Sequence, residues 1–161
     1  MSYKHSLAVA CMAILAATSV ARPHCQIPCG IYDDETRFTL LAEHISTIEK
    51  STKEIIRLSA APEKDYNQIV RWVNNKDAHA DEFSDIITYY FMAQRVKPVE
   101  KDSTVVYQLY LHQIGLLHEM LVYAMKTKQT TEEANIEKLL SLLADFRTAY
   151  FGPQGKIEPG K

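Results

Sequence analysis

The sequence has little cysteine, no excess of positive charge and, beyond its first 23 residues, no long apolar run. Its 161 residues contain 3 cysteines, 18 basic and 20 acidic side chains. Nucleic-acid-binding proteins concentrate basic residues on one face, so this composition argues against such a partner. Because no later window is apolar enough to cross a bilayer, we expect no membrane association and a soluble chain once those first residues are removed. Internal repeats and a second domain are also absent from the pattern.

Residues 1–23 have the three-part pattern of an export signal. Lys4 and His5 give a weakly basic start, an almost unbroken apolar run covers residues 6–18, and small residues follow up to Ala21. The apolar run is too short to span a membrane. A retained N-terminal helix is the alternative. Cleavage predicts export to the periplasm or out of the cell, with the cytoplasm or an organelle as the other compartments left open.

Removal of this leader leaves residues 24–161, a chain of 138 residues that is long enough for a core without cross-links. Lys4 and Arg22 leave with the leader, so 16 basic residues face 20 acidic ones and the net charge becomes −4. An anionic substrate would then be steered by a local positive patch and not by net charge. The small-x-small site at residues 19–21 would leave two residues ahead of His24, so exposing His24 requires a dedicated protease or a second trimming step.

Hydrophobic spacing is helical throughout the rest of the chain, and no stretch alternates as a strand would. Asp33 and Asp34 can open a first helix, Asn74-Asn75 is a weak point in the second, and residues 130–133 read as a capping box for the fourth. Short connections between amphipathic helices predict an all-α, antiparallel four-helix bundle. The predicted helices cover about residues 33–60, 63–95, 103–127 and 131–150.

The apolar stripes of the helices define the predicted core. The first helix has a regular seam, interrupted only by Thr52, that consists of Phe38, Leu41, Ile45, Ile48 and Ile55. The stripe of the third helix consists of Val106, Leu109, Tyr110, Ile114, Leu117, Leu121 and Ala124.

The nine residues 24–32, His-Cys-Gln-Ile-Pro-Cys-Gly-Ile-Tyr, concentrate metal ligands directly behind the leader. We call them the hook. If cleavage exposes His24, its α-amine, the Cys25 amide nitrogen and the thiolates of Cys25 and Cys29 can form a plane, with the His24 imidazole as a fifth ligand. Two nitrogens and two sulfurs in a plane suit nickel(II) or copper(II), whereas zinc prefers a tetrahedron. Pro28 and Gly30 allow so short a segment to turn back on itself.

Two other interpretations of the hook stay open at this point. Cys25 and Cys29 are the only cysteines left after leader removal, and an exported protein could join them in a disulfide within a non-enzymatic helical bundle. The same amine, amide and thiolate ligands would also serve a secreted nickel or copper carrier.

The hook resembles the N-terminus of the nickel-containing superoxide dismutases, in which His-Cys-x-x-Pro-Cys-Gly-x-Tyr follows a cleaved leader and precedes a four-helix bundle. The resemblance implies dismutation of superoxide to O₂ and H₂O₂ by Ni(III)/Ni(II) cycling, with one nickel ion per chain. It implies His24, Cys25 and Cys29 as the metal ligands, Tyr32 on the substrate-access side and a cis bond before Pro28. It also implies a homohexamer. The proton donor, a metal-bound thiol or an ordered water, is left open.

The residues that support the hook depart from the better-known family pattern. Gln26 replaces an aspartate found in some members, and an ungapped reading places Leu40 where a carboxylate is expected, with Glu43 one turn further on. Arg71 and Lys76 are the candidates for a supporting cation. The other histidines in the helices are interpreted as surface or interface residues and not as ligands; they are His44, His79, His112 and His118. Tyr89-Tyr90-Phe91 is assigned to packing or a subunit interface, with one of its tyrosines a candidate neighbour of the hook.

Overall fold

The computed structural model describes residues 33–101 and 104–152. Contacts divide the chain into two units, Met1–Ile31 and Tyr32–Lys161. The first unit lies outside the described residues, and with it the leader and most of the hook, so the predictions on them stay predictions. All elements described below belong to the second unit.

Four helices make up the described part of the second unit, which contains no strand. α1 spans Asp34–Ala60, α2 spans Tyr66–Asp85 and continues into a π-helical segment at Ile86–Arg95, α3 spans Thr104–Gln129, and α4 spans Glu133–Phe151. Each helix packs against two of the others, α1 against α2 and α4, and α3 against α2 and α4. Among the described residues, none of the helices combines the length and the apolar character that a membrane span needs.

The helices run antiparallel, as the partners across each helix pair show. The start of α1 meets the end of the π-helical segment through Asp34 and Arg95, and it meets the end of α4 through Asp34 and Tyr150. Lys76, at the middle of α2, bonds the carbonyl of Thr127 near the end of α3. The four-helix bundle predicted from hydrophobic spacing is confirmed.

The predicted seam of α1 is fully buried, from Phe38 to Ile55. Around Phe38 the core is aromatic, since its ring lies 5.1 Å from that of Phe91 and 5.5 Å from that of Phe146, centroid to centroid. These contacts join α1, the π-helical segment and α4 at one end of the bundle. Edge-to-face and offset pairs of this kind add to the free energy of burying the rings themselves.

The predicted stripe of α3 is partly wrong. Leu117 and Ala124 are buried, but Val106 and Leu109 are exposed, while Met120 supplies core contacts that the prediction omitted. Apolar side chains occur on several faces of α3, so hydrophobic spacing alone does not select the face that packs inward.

Two local predictions need correction. The second helix continues unbroken across Asn74 and Asn75, and its irregularity lies at the π-helical segment instead. The capping box predicted for α4 does not form, because the N-cap position belongs to Glu132, whose side chain makes no capping bond. Thr130 instead accepts hydrogen bonds from the Glu132 backbone at 3.4 Å and the Asn135 amide at 3.1 Å.

Candidate functional site

The predicted ligands His24, Cys25 and Cys29, and the predicted gate Tyr32, lie outside the described residues. What the structure describes is the start of α1, which begins two residues after Tyr32 in the sequence. A polar cluster surrounds this helix start, and we call it the Asp34 cluster. It consists of Asp34, Tyr90, Arg95 and Tyr150.

Local sequence explains why α1 begins where it does. Asp33 is the N-cap, and its side chain accepts a hydrogen bond from the Glu35 backbone N–H at 3.0 Å. Asp34 and Glu35 place two negative charges in the first turn, where the partial positive charge of a helix N-terminus favours them. The predicted role of Asp33 as a helix opener is confirmed, whereas Asp34 has a different one.

Asp34 accepts hydrogen bonds from three side chains that come from two other elements. Its Oδ1 accepts from Arg95 Nε at 2.7 Å and Nη2 at 2.6 Å, and also from the Tyr90 hydroxyl. Its Oδ2 accepts from the Tyr150 hydroxyl at 2.9 Å. The Arg95 Nε lies 3.2 Å from the Tyr90 hydroxyl, which closes the cluster. One carboxylate therefore ties the start of α1 to the ends of the second and fourth helices.

The π-helical segment explains how Tyr90 and Arg95 reach the same carboxylate. In a π-helix the backbone N–H bonds the carbonyl five residues earlier, as the Val96 N–H does with Phe91 at 2.8 Å. Side chains five apart therefore lie closer together around the axis than they would in an α-helix, where 3.6 residues per turn place them on widely separated faces. Tyr90 and Arg95 are such a pair, and the Arg95 guanidinium also lies 5.2 Å from the centre of the Tyr90 ring.

Burial determines the protonation of both phenols in the cluster. Burial is the largest cause that raises the pKa of Tyr150, followed by its hydrogen bond to Asp34. The same two causes, in the same order, raise the pKa of Tyr90. Both phenols therefore stay neutral and keep their O–H groups as donors to Asp34 well above neutral pH.

Charges at this end of the bundle are balanced. Arg147 pairs with Glu35, Arg95 pairs with Asp34, and the Arg37 guanidinium lies 5.2 Å from the centre of the Tyr90 ring. Together with Asp33, this makes three arginines and three carboxylates. The sequence led us to expect a local positive patch that steers an anionic substrate. The six charged residues named here include three positive groups, but their net charge is zero.

Lys76, one of the two predicted supporting cations, is instead a structural residue inside the bundle. Its side chain is 2 % exposed. Its ammonium donates to the carbonyls of Thr127 and of Lys128, the latter at 2.8 Å, and to Asp77 at 3.0 Å. These acceptors use all three of its N–H groups, and two of them are free carbonyls at the end of α3.

Arg71, the other candidate cation, is exposed and lies near the start of α2. At 1.5 Å per residue it is about 20 Å along the helix axis from the start of the π-helical segment. Neither candidate therefore reaches the Asp34 cluster, where Arg95 supplies the cation. Leu40 is half-buried on α1, and Glu43 is exposed.

The family of the chain follows from comparison with known protein families. A family model described as nickel-containing superoxide dismutase matches residues 17–154. The chain belongs to this family. No curated protein and no solved structure matches it significantly. The match covers the hook sequence and all four helices, so this nickel superoxide dismutase uses nickel to convert superoxide into O₂ and H₂O₂.

The donor set of the hook suits the metal of this dismutase. Amine and amide nitrogens, an imidazole and two thiolates are strong donors, and thiolates together with nitrogens fit a tetragonal nickel ion. His24, Cys25 and Cys29 all lie within the matched residues 17–154, whereas Cys11 lies outside them. The chemistry of these residue types is compatible with nickel.

Two features of the dismutase were not predicted from its sequence. The first is the position of Arg95 beside Asp34. An antiparallel bundle brings the end of the second helix to the start of the first, so the predicted fold already indicated that such a contact could form. The second feature is the pairing of His44 with His79, whose Nδ1 atoms are 2.9 Å apart, beside Glu82.

The three residues of the Tyr89-Tyr90-Phe91 run have different roles. Phe91 packs in the core, Tyr90 bonds Asp34 and Tyr89 is exposed.

Proposed function

We propose that the hook residues His24, Cys25 and Cys29 hold the nickel ion of this dismutase. The observation that carries the proposal is that the family match includes both cysteines of the hook and excludes the remaining one, Cys11. His24 would contribute its α-amine and imidazole, Cys25 its amide nitrogen and thiolate, and Cys29 its thiolate. The α-amine is available only if the leader, residues 1–23, is removed.

The reaction converts two superoxide anions and two protons into O₂ and H₂O₂. Bound nickel would supply the one-electron Ni(III)/Ni(II) couple that this reaction needs. Anionic thiolates from Cys25 and Cys29 and a deprotonated Cys25 amide favour the higher oxidation state, and hydrogen bonds around the ligands tune it. Tyr32 holds the incoming anion and restricts access to small molecules, which protects the thiolates from oxidation.

The Asp34 cluster supplies anchoring and not protons in this proposal. The hydroxyl groups of Tyr90 and Tyr150 donate hydrogen bonds to Asp34, and their raised pKa values make them poor acids. Asp34 comes five residues after Cys29 in the sequence. We therefore assign Tyr90, Arg95 and Tyr150 to fixing the first residue of α1, from which the chain leads back to the hook.

The ligand assignment is tested by metal analysis and intact-mass measurement of the processed protein. We expect about one nickel per chain, reduced cysteines and His24 as the first residue. Cys25→Ser and Cys29→Ser should each lose nickel and activity, while Cys11→Ser should lose neither. A mass two units low without metal would indicate a disulfide, and bound metal without dismutase activity would indicate a carrier; either result would overturn the proposal.

The α-amine has its own test. One additional residue before His24 should abolish activity and leave the far-ultraviolet circular dichroism of the bundle unchanged, because it moves the amine out of the chelate. An extended protein that keeps its activity would show that the amine is not a ligand.

We further propose that the dismutase is exported and assembles as a homohexamer. The export signal of residues 1–23 supports the first part, and its test is the N-terminal sequence of protein recovered outside the cytoplasm. Support for self-association comes from exposed apolar side chains on α3, namely Val105, Val106, Leu109, Leu111, Val122 and Met125. Light scattering should give six times the mass of the mature chain, and a monomer would refute the assembly.

A further inference from the structure

Three potential metal ligands from α1 and α2 meet near the middle of the bundle. His44 comes from α1, and His79 and Glu82 lie one turn apart on α2. The side chains are 13 %, 30 % and 60 % exposed, respectively, so the group opens to solvent. Sequence analysis interpreted both histidines as surface or interface residues, but the packing of α1 on α2 brings their rings together.

The three ligand atoms have the spacing of one face of a coordination tetrahedron. The Nδ1 atoms of His44 and His79 are 2.9 Å apart, and they lie 3.4 and 3.6 Å from Glu82 Oε2. A circle through these atoms has a radius of about 1.9 Å, which a zinc ion with bonds of about 2.0–2.1 Å to nitrogen and oxygen would fit with a small displacement from the plane.

Hydrogen bonding alone explains this arrangement less well. The two imidazoles are at hydrogen-bonding distance, so one ring would donate and the other accept. The Glu82 oxygen, however, is farther from both nitrogens than the 2.7–3.2 Å typical of an N–H···O bond. Among the described residues, Glu82 has no lysine or arginine partner. The three ligand atoms therefore lie close to one another, and no lysine or arginine among the described residues neutralises the carboxylate.

We propose that His44, His79 and Glu82 form a second metal site that binds a zinc-type divalent cation and links α1 to α2. Two imidazoles and one carboxylate are zinc ligands, and a site with three protein ligands leaves the fourth position to water. The edge lengths are those of a tetrahedron, and the ligand set contains no thiolate. Both properties separate this site from the nickel hook, whose thiolates and nitrogens favour a plane.

Zinc content of the nickel-loaded mature protein tests the proposal. After equilibration with Zn²⁺ and removal of unbound metal, we expect one zinc per chain in addition to nickel. Glu82→Gln and His79→Gln should each weaken zinc binding at least tenfold, since even removal of a group that only supports a ligand costs 10- to 100-fold in metal affinity. His118→Gln, an exposed histidine on α3, is the matched control and should bind zinc normally. Glu82 is exposed, so its variant should fold and keep its nickel.

Two further measurements identify where the metal binds. Co²⁺ added to nickel-loaded protein should give the intense visible absorption of a tetrahedral ion, and Glu82→Gln should remove it. A Cys25→Ser, Cys29→Ser double variant should lose nickel but still bind zinc. Zinc lost together with the cysteines, zinc retained at equal affinity in Glu82→Gln, or no zinc above that of a buffer blank would each overturn the proposal and leave a histidine pair facing a carboxylate.

Discussion

Replacing Asp34 with asparagine should destabilise the bundle. The new side-chain amide would present an N–H group to the donors of Tyr90, Arg95 and Tyr150, so at least one of them would lose its acceptor. The side chains of Asp34 and Arg95 are only 22 % and 27 % exposed, which limits screening by solvent.

The size of the effect follows from these contacts. Hydrogen bonds to a charged group contribute about 1.5–3 kcal/mol each, and removal of one partner from a buried ion pair costs about 3–5 kcal/mol. Because the donors share one carboxylate, their contributions do not add. Partial exposure lowers the total further, and we expect a loss of about 3 kcal/mol. For a chain of this length, that corresponds to a decrease in Tm of about 10 °C.

Thermal and denaturant unfolding, followed by circular dichroism at one fixed protein concentration, measures this loss. Asp145→Asn, an exposed carboxylate on α4, is the control and should change stability by no more than about 0.5 kcal/mol. Tyr150→Phe removes a single donor, and a double-mutant cycle with Asp34→Asn should show a coupling of at least about 0.5 kcal/mol. If Asp34→Asn behaves like the control, or if the two changes are additive, the cluster does not anchor α1.

Three further changes test other parts of the bundle. Lys76→Met should lower the free energy of unfolding by about 1–3 kcal/mol, because it leaves the buried carbonyl of Thr127 and the partly buried carbonyl of Lys128 without this donor. Denaturant unfolding measures this loss, and an unchanged midpoint would contradict the role of Lys76 at the end of α3. Thr52→Val should raise that free energy by about 1 kcal/mol, since the Thr52 hydroxyl is buried and has no hydrogen-bond partner among the described residues; a less stable variant would refute this. The raised pKa of Tyr150 predicts that stability falls as pH rises above about 10, because the unfolded phenol ionises there and the folded one does not. Unfolding measured from about pH 8 to about pH 11 should show a shallower fall in Tyr150→Phe, and identical pH profiles would exclude this residue as the cause.

The architecture was predictable because α1 and the bundle as a whole follow helical periodicity closely. A seam such as Phe38 to Ile55 has one apolar stripe, so only one face can pack inward. α3 has no single apolar stripe, since Leu111, Val122 and Met125 are apolar and exposed while Met120 is buried. Periodicity shows which positions of a helix are apolar, but it does not show which of them a neighbouring helix buries. The inward face of α3 therefore depended on its neighbours.

The candidate site was predictable only where its residues are consecutive. The hook is a nine-residue motif, so its composition and its position behind a leader were enough to predict a metal site. The contact of Arg95 with Asp34 and the group His44, His79 and Glu82 each join residues of different helices. Predicting them requires the register of α1 against the second helix. Arg71 and Lys76 were candidates by their place in the second helix alone, whereas the packing of the bundle brings Arg95 to Asp34.

Register along α1 and α2 also gives the π-helical segment a physical role. His44 contacts His79, and Asp34, ten residues nearer the start of α1, contacts Tyr90, which is eleven residues beyond His79. Regular antiparallel helices advance by similar numbers of residues, and the one-residue difference here falls where the second helix becomes π-helical. A π-helical turn absorbs an inserted residue without breaking the helix. The same turn places Arg95 above Tyr90, so the irregularity that sequence periodicity could not detect is what directs both side chains to Asp34.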